Sequence, residues 1–375
     1  MSSIGAIQCI TDRMIFTWEF QGEQAMFLIH VDDIVVSYSG CSIKEHFGHL
    51  IREEFGTDRV TGGEEPLTYV LGISIIRDRQ RQELTLSQGH FVMKMLDDFD
   101  MDYNTVRPVS TPLPTGVKLQ KWVGEPVPKE DFDYRAFVGC MQWLVMGTRP
   151  DLAQAANALS RHTQCPGPEH VTCAKHVLRY LTGHIDRGVT FHGSDSVLQQ
   201  GYPHRDRIIA AADSDLGCPK STSGIAIMMN AGPLLWKSRL QTLPTNSTAW
   251  AETIAAAQCA MELRSLIDLA AELGAPQQTI RILEDNSPAI YLSAGEKDTQ
   301  KSQPFKRLQF FVEHEIDNLL VWLNKVPSEH NFSDIFTKSM HSARDFNRLV
   351  GVFNGETPHL YLGTQIEQLL KTGHI

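Results

Sequence analysis

Apolar positions along the chain change period several times, and each change marks a different kind of element. Between Ala25 and Tyr38 two apolar, β-rich arms flank the polar centre His30-Val31-Asp32-Asp33, the pattern of a hairpin with acids at its tip. Ile43 to Phe55 switches to helical spacing. Leu67 to Arg77 and Glu83 to Ser87 return to strand spacing around the polar turn Asp78 to Gln82, and His90 to Phe99 reads as a helix. From Arg107 to Pro128 the periodicity lapses and prolines stand at 108, 112, 114, 126 and 128, which predicts a linker or extended arm. Asp133 to Met146, Asp151 to Thr163 and Glu169 to Thr182 then carry amphipathic helical spacing, the second starting through Arg149-Pro150-Asp151.

A second boundary falls in the polar stretch His192 to Arg207. Beyond it the pattern predicts strands at Ile208 to Asp213, Gly224 to Asn230 and Leu234 to Arg239. A long helix, Ser247 to Leu273, is closed by Gly274. Strand Thr279 to Glu284, helix Ser287 to Leu292, helix Pro304 to Asn318, strand Leu319 to Val326 and a last helix from Asn331 complete the order. Such an order makes an α/β layered domain of about 140 residues, a usual domain size.

Composition bounds the rest. With 375 residues, 42% of them apolar and 21% charged, the chain is long enough for two or three globular domains with real cores. No run of about 18 apolar residues occurs and Met1 to Arg13 lacks the layout of a signal peptide, so the expectation is an intracellular protein, in cytoplasm or nucleus, with no membrane partner. Seven scattered cysteines without a C-x-x-C pair fit a reducing compartment. Cys165, His170, Cys173 and His176 are the nearest thing to a zinc cluster, but three of them lie on one amphipathic helix and read as packing. A net charge of −10 excludes a protein that grips nucleic acid with its whole surface, so such binding must be local.

Within the last domain, Asp213, Glu252, Asp285 and Asp334 sit where strands end or helices begin. Glu252 lies one turn inside the long helix beside the small-residue run Ala255, Ala256 and Ala257, which aims it inward. Several carboxylates at one point repel unless cations neutralise them, and magnesium, with manganese as its substitute, is the natural choice. Two such ions about 4 Å apart can activate a water and stabilise a leaving oxygen at phosphorus. From spacing alone the same acids also fit solvated surface positions and helix caps.

The words around these acids resemble those of copia-type retrotransposon Pol polyproteins, in order, from about Gly5 to Met340. Ser221-Thr222-Ser223-Gly224, Trp236-Lys237-Ser238, Glu284-Asp285-Asn286 and Ser333-Asp334-Ile335-Phe336-Thr337-Lys338 resemble the family's ribonuclease H words. Val31-Asp32-Asp33-Ile34, Leu71-Gly72-Ile73, Leu86-Ser87-Gln88, Ser110-Thr111-Pro112-Leu113-Pro114, Gly147-Thr148-Arg149-Pro150-Asp151 and Val177-Leu178-Arg179-Tyr180-Leu181 resemble its reverse transcriptase and connection. The resemblance implies an α/β and α+β multidomain chain: a partial reverse-transcriptase palm over 1–116, a helical thumb or connection over 117–200, a ribonuclease H-like domain with a mixed five-stranded sheet flanked by helices over 207–345, and a C-terminal tail over 346–375. It also implies that Asp213, Glu252, Asp285 and Asp334 are the metal-binding catalytic carboxylates, taking two magnesium ions, and that Asp32 and Asp33 are vestigial polymerase aspartates. The substrate implied is an RNA–DNA hybrid, whose RNA strand is hydrolysed.

The departures from the family pattern carry their own expectations. The third polymerase carboxylate, in an Asp-Val-Lys-Thr-Ala-Phe-like word, is absent because the chain begins too late, and His30 replaces the usual Tyr. Polymerase activity is therefore expected to be lost unless a missing palm and fingers segment acts in trans, and apolar surface is expected to be exposed. Trp250 stands in place of an acid, Thr253 in place of an aromatic, and Gln303-Pro304-Phe305-Lys306 in place of Lys-His-Ile-Asp. The alternative is a catalytically inactive remnant that binds nucleic acid or protein.

Overall fold

A computed structural model describes residues 4–31, 33–55, 67–193, 207–217, 219–293, 306–318 and 320–357. It divides into two compact units, Met1–Thr68 with Glu262–Gln277, and Tyr69–Met261 with Gln278–Ile375.

The first unit is an antiparallel meander of β1 (Ile7–Gln8), β2 (Ile15–Phe20), β3 (Glu23–His30) and β4 (Asp33–Tyr38), with helix α1 (Cys41–Phe55). Alternation along β3 sends Ala25 and Phe27 into a core shared with Trp18, Ile43 and Phe47. The alternate positions Met26 and Leu28, with Ile34 on β4, stay exposed. The β3–β4 hairpin expected around the paired aspartates is present, with His30 opposite Asp33 and Val31 at φ 56° in the turn. Asp32 lies outside the described residues.

In the second unit, β5 (Tyr69–Val70), β6 (Ile73–Asp78), β7 (Glu83–Ser87) and β8 (Gly188–His192) form an antiparallel sheet. Strand β8, which the polar composition around it concealed, pairs with β7 across 105 residues of chain, as the Thr85–Thr190 hydroxyl contact shows. Helices α2 (Gly89–Asp98), α3 (Tyr134–Gly147), α4 (Ala153–Ser160) and α5 (Pro168–Thr182) follow the expected spans. Leu96, Phe137, Met141, Leu144, Leu159, Leu178 and Leu181 fill the core between them. The proline-rich arm is held rather than free. Leu113 is buried, and Thr111 and Pro114 carbonyls accept from His176 and Ser339. His170 is likewise engaged by the Gln120 carbonyl and the Gly167 amide, so both imidazoles of the Cys/His group serve backbone packing.

The remainder is a mixed five-stranded sheet in the order β11-β10-β9-β12-β13, formed by β9 (Ile208–Asp215), β10 (Thr222–Met229), β11 (Gly232–Leu240), β12 (Ile280–Glu284) and β13 (Val321–Lys325). The first three are antiparallel; β12 runs parallel to β9 and to β13. Helices α6 (Thr248–Glu272), α7 (Ser287–Ser293) and α8 (Lys306–Asp317) link them. Strand β9 is buried along seven of its eight residues because both its faces are covered. Ile209 and Ala211 share a core with Phe332, Ile335 and Phe336, and Ala210 and Ala212 are buried on the alternate face.

Where a single helix was expected from Asn331, the chain instead makes a short 3-10 turn, Phe332–Phe336, breaks, and restarts as α9 (Ala343–Phe353). Ser342 caps that restart on the Asp345 amide, and Phe346, Leu349, Val350 and Phe353 are buried, so residues up to 353 belong to the core rather than to a tail. No helix among the described residues is long and apolar enough to cross a membrane.

Candidate metal centre

Parallel pairing of β9 with β12 sets the first two acids. Arg281 lies opposite Ile209 and Leu283 opposite Ala211, so the same register carried two residues further brings Asp285 beside Asp213. Both carboxylates leave the sheet on the side of Ala211, which the turn Phe332–Phe336 covers. That turn can approach because Gly224, opposite Asp213 on β10, has no side chain. Buried Asn331 pins it: its amide nitrogen donates to the Ala212 carbonyl at 3.0 Å, and its oxygen accepts from the Ser333 amide at 3.2 Å and hydroxyl at 2.5 Å. One oxygen each of Asp213, Asp285 and Asp334 then lie within 4.8 Å of one another.

Two further groups serve this trio. The Thr337 hydroxyl donates to Asp213 Oδ2 at 2.5 Å. Lys338 Nζ stands 3.2 Å from Asp334 Oδ2 and 3.9 Å from Asp213 Oδ2.

Glu252 comes from the start of α6. Gln241 fixes that start, its buried amide donating to Ser223 Oγ and to the Ala251 carbonyl, both at 2.9 Å. Glu252 reaches a second group of acids, with Glu284 and Asp285, again within 4.8 Å. Asp285 thus belongs to both groups.

Burial dominates the electrostatics. Removal from water raises the carboxyl of Asp334 to about 8, with the neighbouring Asp213 charge adding to the shift. Glu252 is pushed to about 10 by burial and then by Glu284, Asp213 and Asp285. Asp213 and Glu284 are raised for the same reason, Glu284 well above the usual carboxylate range. Lys338 is raised as well, which here favours its charged form. Burial acts to lower it, but Asp213 and Asp334 hold its ammonium protonated. Glu252 Oε2, Glu284 Oε2 and Asp334 Oδ1 are buried without a hydrogen-bond partner. Bare, oxygen-only, mutually repelling ligands of this kind fit a hard divalent cation such as magnesium or manganese. Cations there would let the cluster ionise and would supply Lewis-acid chemistry at phosphorus.

The structure therefore brings Asp213, Asp285 and Asp334 together and places Glu252 with Glu284 and Asp285. Asp215 is exposed at the end of β9, and Asp33 is exposed in the first unit. Sequence reasoning assigned no role to Glu284, Thr337 or Lys338. Lys338 had a signal in its i,i+4 spacing from Asp334; Glu284 had only its adjacency to Asp285. The departures Trp250 and Thr253 have packing explanations. Trp250 joins an apolar cluster with Ile254 and Leu292, and buried Thr253 donates back to the Ala249 carbonyl at 2.9 Å. Gln303, Pro304 and Phe305 lie outside the described residues.

No protein-family model matches the chain. Over 278 residues it is 31% identical to the retrovirus-related Pol polyprotein from transposon TNT 1-94 of Nicotiana tabacum, an alignment covering 73% of this chain and 20% of that protein. Over 353 residues it is 28% identical to the retrovirus-related Pol polyprotein from transposon RE2 of Arabidopsis thaliana, covering 93% of this chain and 23% of that protein. The chain thus spans about a fifth of the length of these relatives. Among solved structures, LC11 ribonuclease H1 in complex with an RNA/DNA hybrid aligns with 36% of this chain and 96% of its own, at 14% identity and a TM-score of 0.29.

Proposed function

Since the chain belongs to the Pol polyproteins of copia-type retrotransposons, we propose that its ribonuclease H-like domain is a divalent-metal-dependent endonuclease that hydrolyses the RNA strand of RNA–DNA hybrids. The observation that carries the reading is the convergence of Asp213, Asp285 and Asp334, with Glu252 beside Asp285: Asp213, Asp334 and Glu252 are buried, and Asp334 and Glu252 each keep an oxygen without a hydrogen-bond partner.

In this reading Asp213, Asp285 and Glu252 would hold two magnesium ions, and Asp334 would complete the second site. Bound cations supply activation of the attacking water and neutralisation of the leaving oxygen. The protein's own part is positional. Thr337 fixes one oxygen of Asp213, Asn331 fixes the turn that carries Asp334, and Lys338 balances charge on the Asp213–Asp334 side. The hybrid is read by 2′-hydroxyl and shape contacts, which a chain of net charge −10 can make with a local surface only.

A labelled hybrid incubated with the protein and magnesium should yield RNA fragments, and Asp213→Asn should abolish them. Equal cleavage by that variant would sink the assignment. A second reading, a folded but inactive remnant that binds nucleic acid, is favoured by the altered Gln303 to Lys306 word; salt-dependent hybrid binding without magnesium-dependent cleavage would select it. Polymerisation is not assigned to this chain alone, because Asp32 and Asp33 lack the third carboxylate word in the sequence. Primer extension by the isolated chain would overturn that.

A further inference from the structure

We infer that Glu284 is a fifth metal-facing carboxylate, the third protein ligand of a divalent cation held together with Glu252 and Asp285; the inference rests on the nuclease reading of the same site. The four-acid set does not include it.

Glu284 is the last residue of β12, one position before Asp285, and it is fully buried. Its two oxygens have different surroundings. Oε1 accepts from the Asn286 amide at 2.9 Å, which orients the carboxylate, whereas Oε2 is buried with no donor. Lys325, opposite Glu284 on β13, donates to the Asp285 backbone carbonyl, and its charge acts on Glu284 through space without outweighing the effect of burial. Glu252 is 3% exposed and its Oε2 also lacks a donor. Oxygens of Glu252, Glu284 and Asp285 nonetheless lie within 4.8 Å of one another.

Two buried glutamates, each with a bare oxygen and both within reach of a third carboxylate, are unfavourable unless something positive sits among them. A cation there satisfies both unpartnered oxygens at once. The donor set is oxygen only, which selects magnesium, manganese or calcium over zinc or copper. The competing reading is that Glu284 stays protonated as a neutral filler, in which case its charge contributes nothing to ion binding.

Manganese(II) binding to the full chain without nucleic acid separates the two, read by loss of the free-ion electron paramagnetic resonance signal. Glu284→Gln keeps the shape and removes the charge. It should weaken manganese binding at least tenfold and reduce the manganese-dependent rise in melting temperature, with an unchanged circular dichroism spectrum. Glu284→Asp, which keeps a charge on a shorter arm, should bind between the two. Equal or tighter binding by Glu284→Gln, or no manganese binding by the wild type, overturns the inference. A wild type that binds manganese but leaves the hybrid uncut would remove the nuclease reading and not this one.

Discussion

Gly224 lies so close beneath Ser333 that a β-carbon on the glycine would stand 2.7 Å from the Ser333 carbonyl oxygen, and equally close to Thr337 Cγ2. Contacts that short cannot be kept, and the obstacle is backbone rather than a flexible side-chain end. Gly224→Ala should therefore push the turn Phe332–Phe336 off the sheet and carry Asp334 away from Asp213. The expected cost is about 1–3 kcal/mol in denaturant unfolding, the range for overpacking, with at least a tenfold loss of hybrid cleavage. Wild-type stability in that variant would show that the turn is not seated on Gly224.

Lys338 is the positive charge on the Asp213–Asp334 side of the centre, at 3.2 Å from Asp334 and 3.9 Å from Asp213. Lys338→Met should lower the melting temperature of the cation-free protein, because two buried acids lose their counter-charge. The same change should tighten divalent-cation binding, since the ammonium and the ion compete for one field. Calorimetric titration with manganese checks the sign; weaker binding by the variant contradicts it.

Cation-free stability should depend on pH in a fixed direction. Asp334 rises from 3.8 to about 8 and Glu252 from 4.5 to about 10, so the folded chain binds more protons than the unfolded one between those limits. Stability is then complete below about pH 4 and is lost progressively as pH rises through about 8 to 10. Magnesium reverses the loss by replacing protons in the cluster. Melting temperatures in chelator and in magnesium, compared at about pH 5, 7 and 9, should diverge as pH rises. A gap that stays constant with pH counts against this account.

A separate buried charge pair organises the helical part. Arg149 and Asp151 have fully buried side chains joined by two hydrogen bonds of 2.9 and 2.7 Å. Arg149 also donates to the His184 carbonyl, and Tyr180 donates to Asp151 at 2.8 Å while accepting from Arg187 at 2.7 Å. Arg149→Met strands Asp151 with a single hydroxyl donor. It should cost about 3–5 kcal/mol in chemical denaturation, and adding Asp151→Leu should recover part of that, because a buried pair is worth less than the penalty of breaking it.

Local periodicity was enough to determine most of the elements. The helices α2 to α5, the long α6 and the strands β9 to β13 lie within a few residues of where the apolar spacing put them, since that spacing records which face each segment buries. The words around them single out the four acids of the candidate metal centre too, of which the structure groups Asp213, Asp285 and Asp334 and sets Glu252 with Asp285. What needed the tertiary structure was everything fixed by pairing between distant segments. Strand β8 is too short and too near polar sequence to announce itself, and only β7, 105 residues away, makes it a strand. The final helix defeats the periodicity because Phe332, Ile335 and Phe336, apolar and buried on a 3-10 turn, continue the helical pattern, whereas the helix itself starts only at Ala343. Glu284 looked like any acid beside an aspartate; the register of β12 and the seating of α6 bring it to Glu252 and leave its oxygen bare. A sequence states what each residue prefers to bury, whereas the meeting of charges from four separate segments depends on a register that only the folded sheet sets.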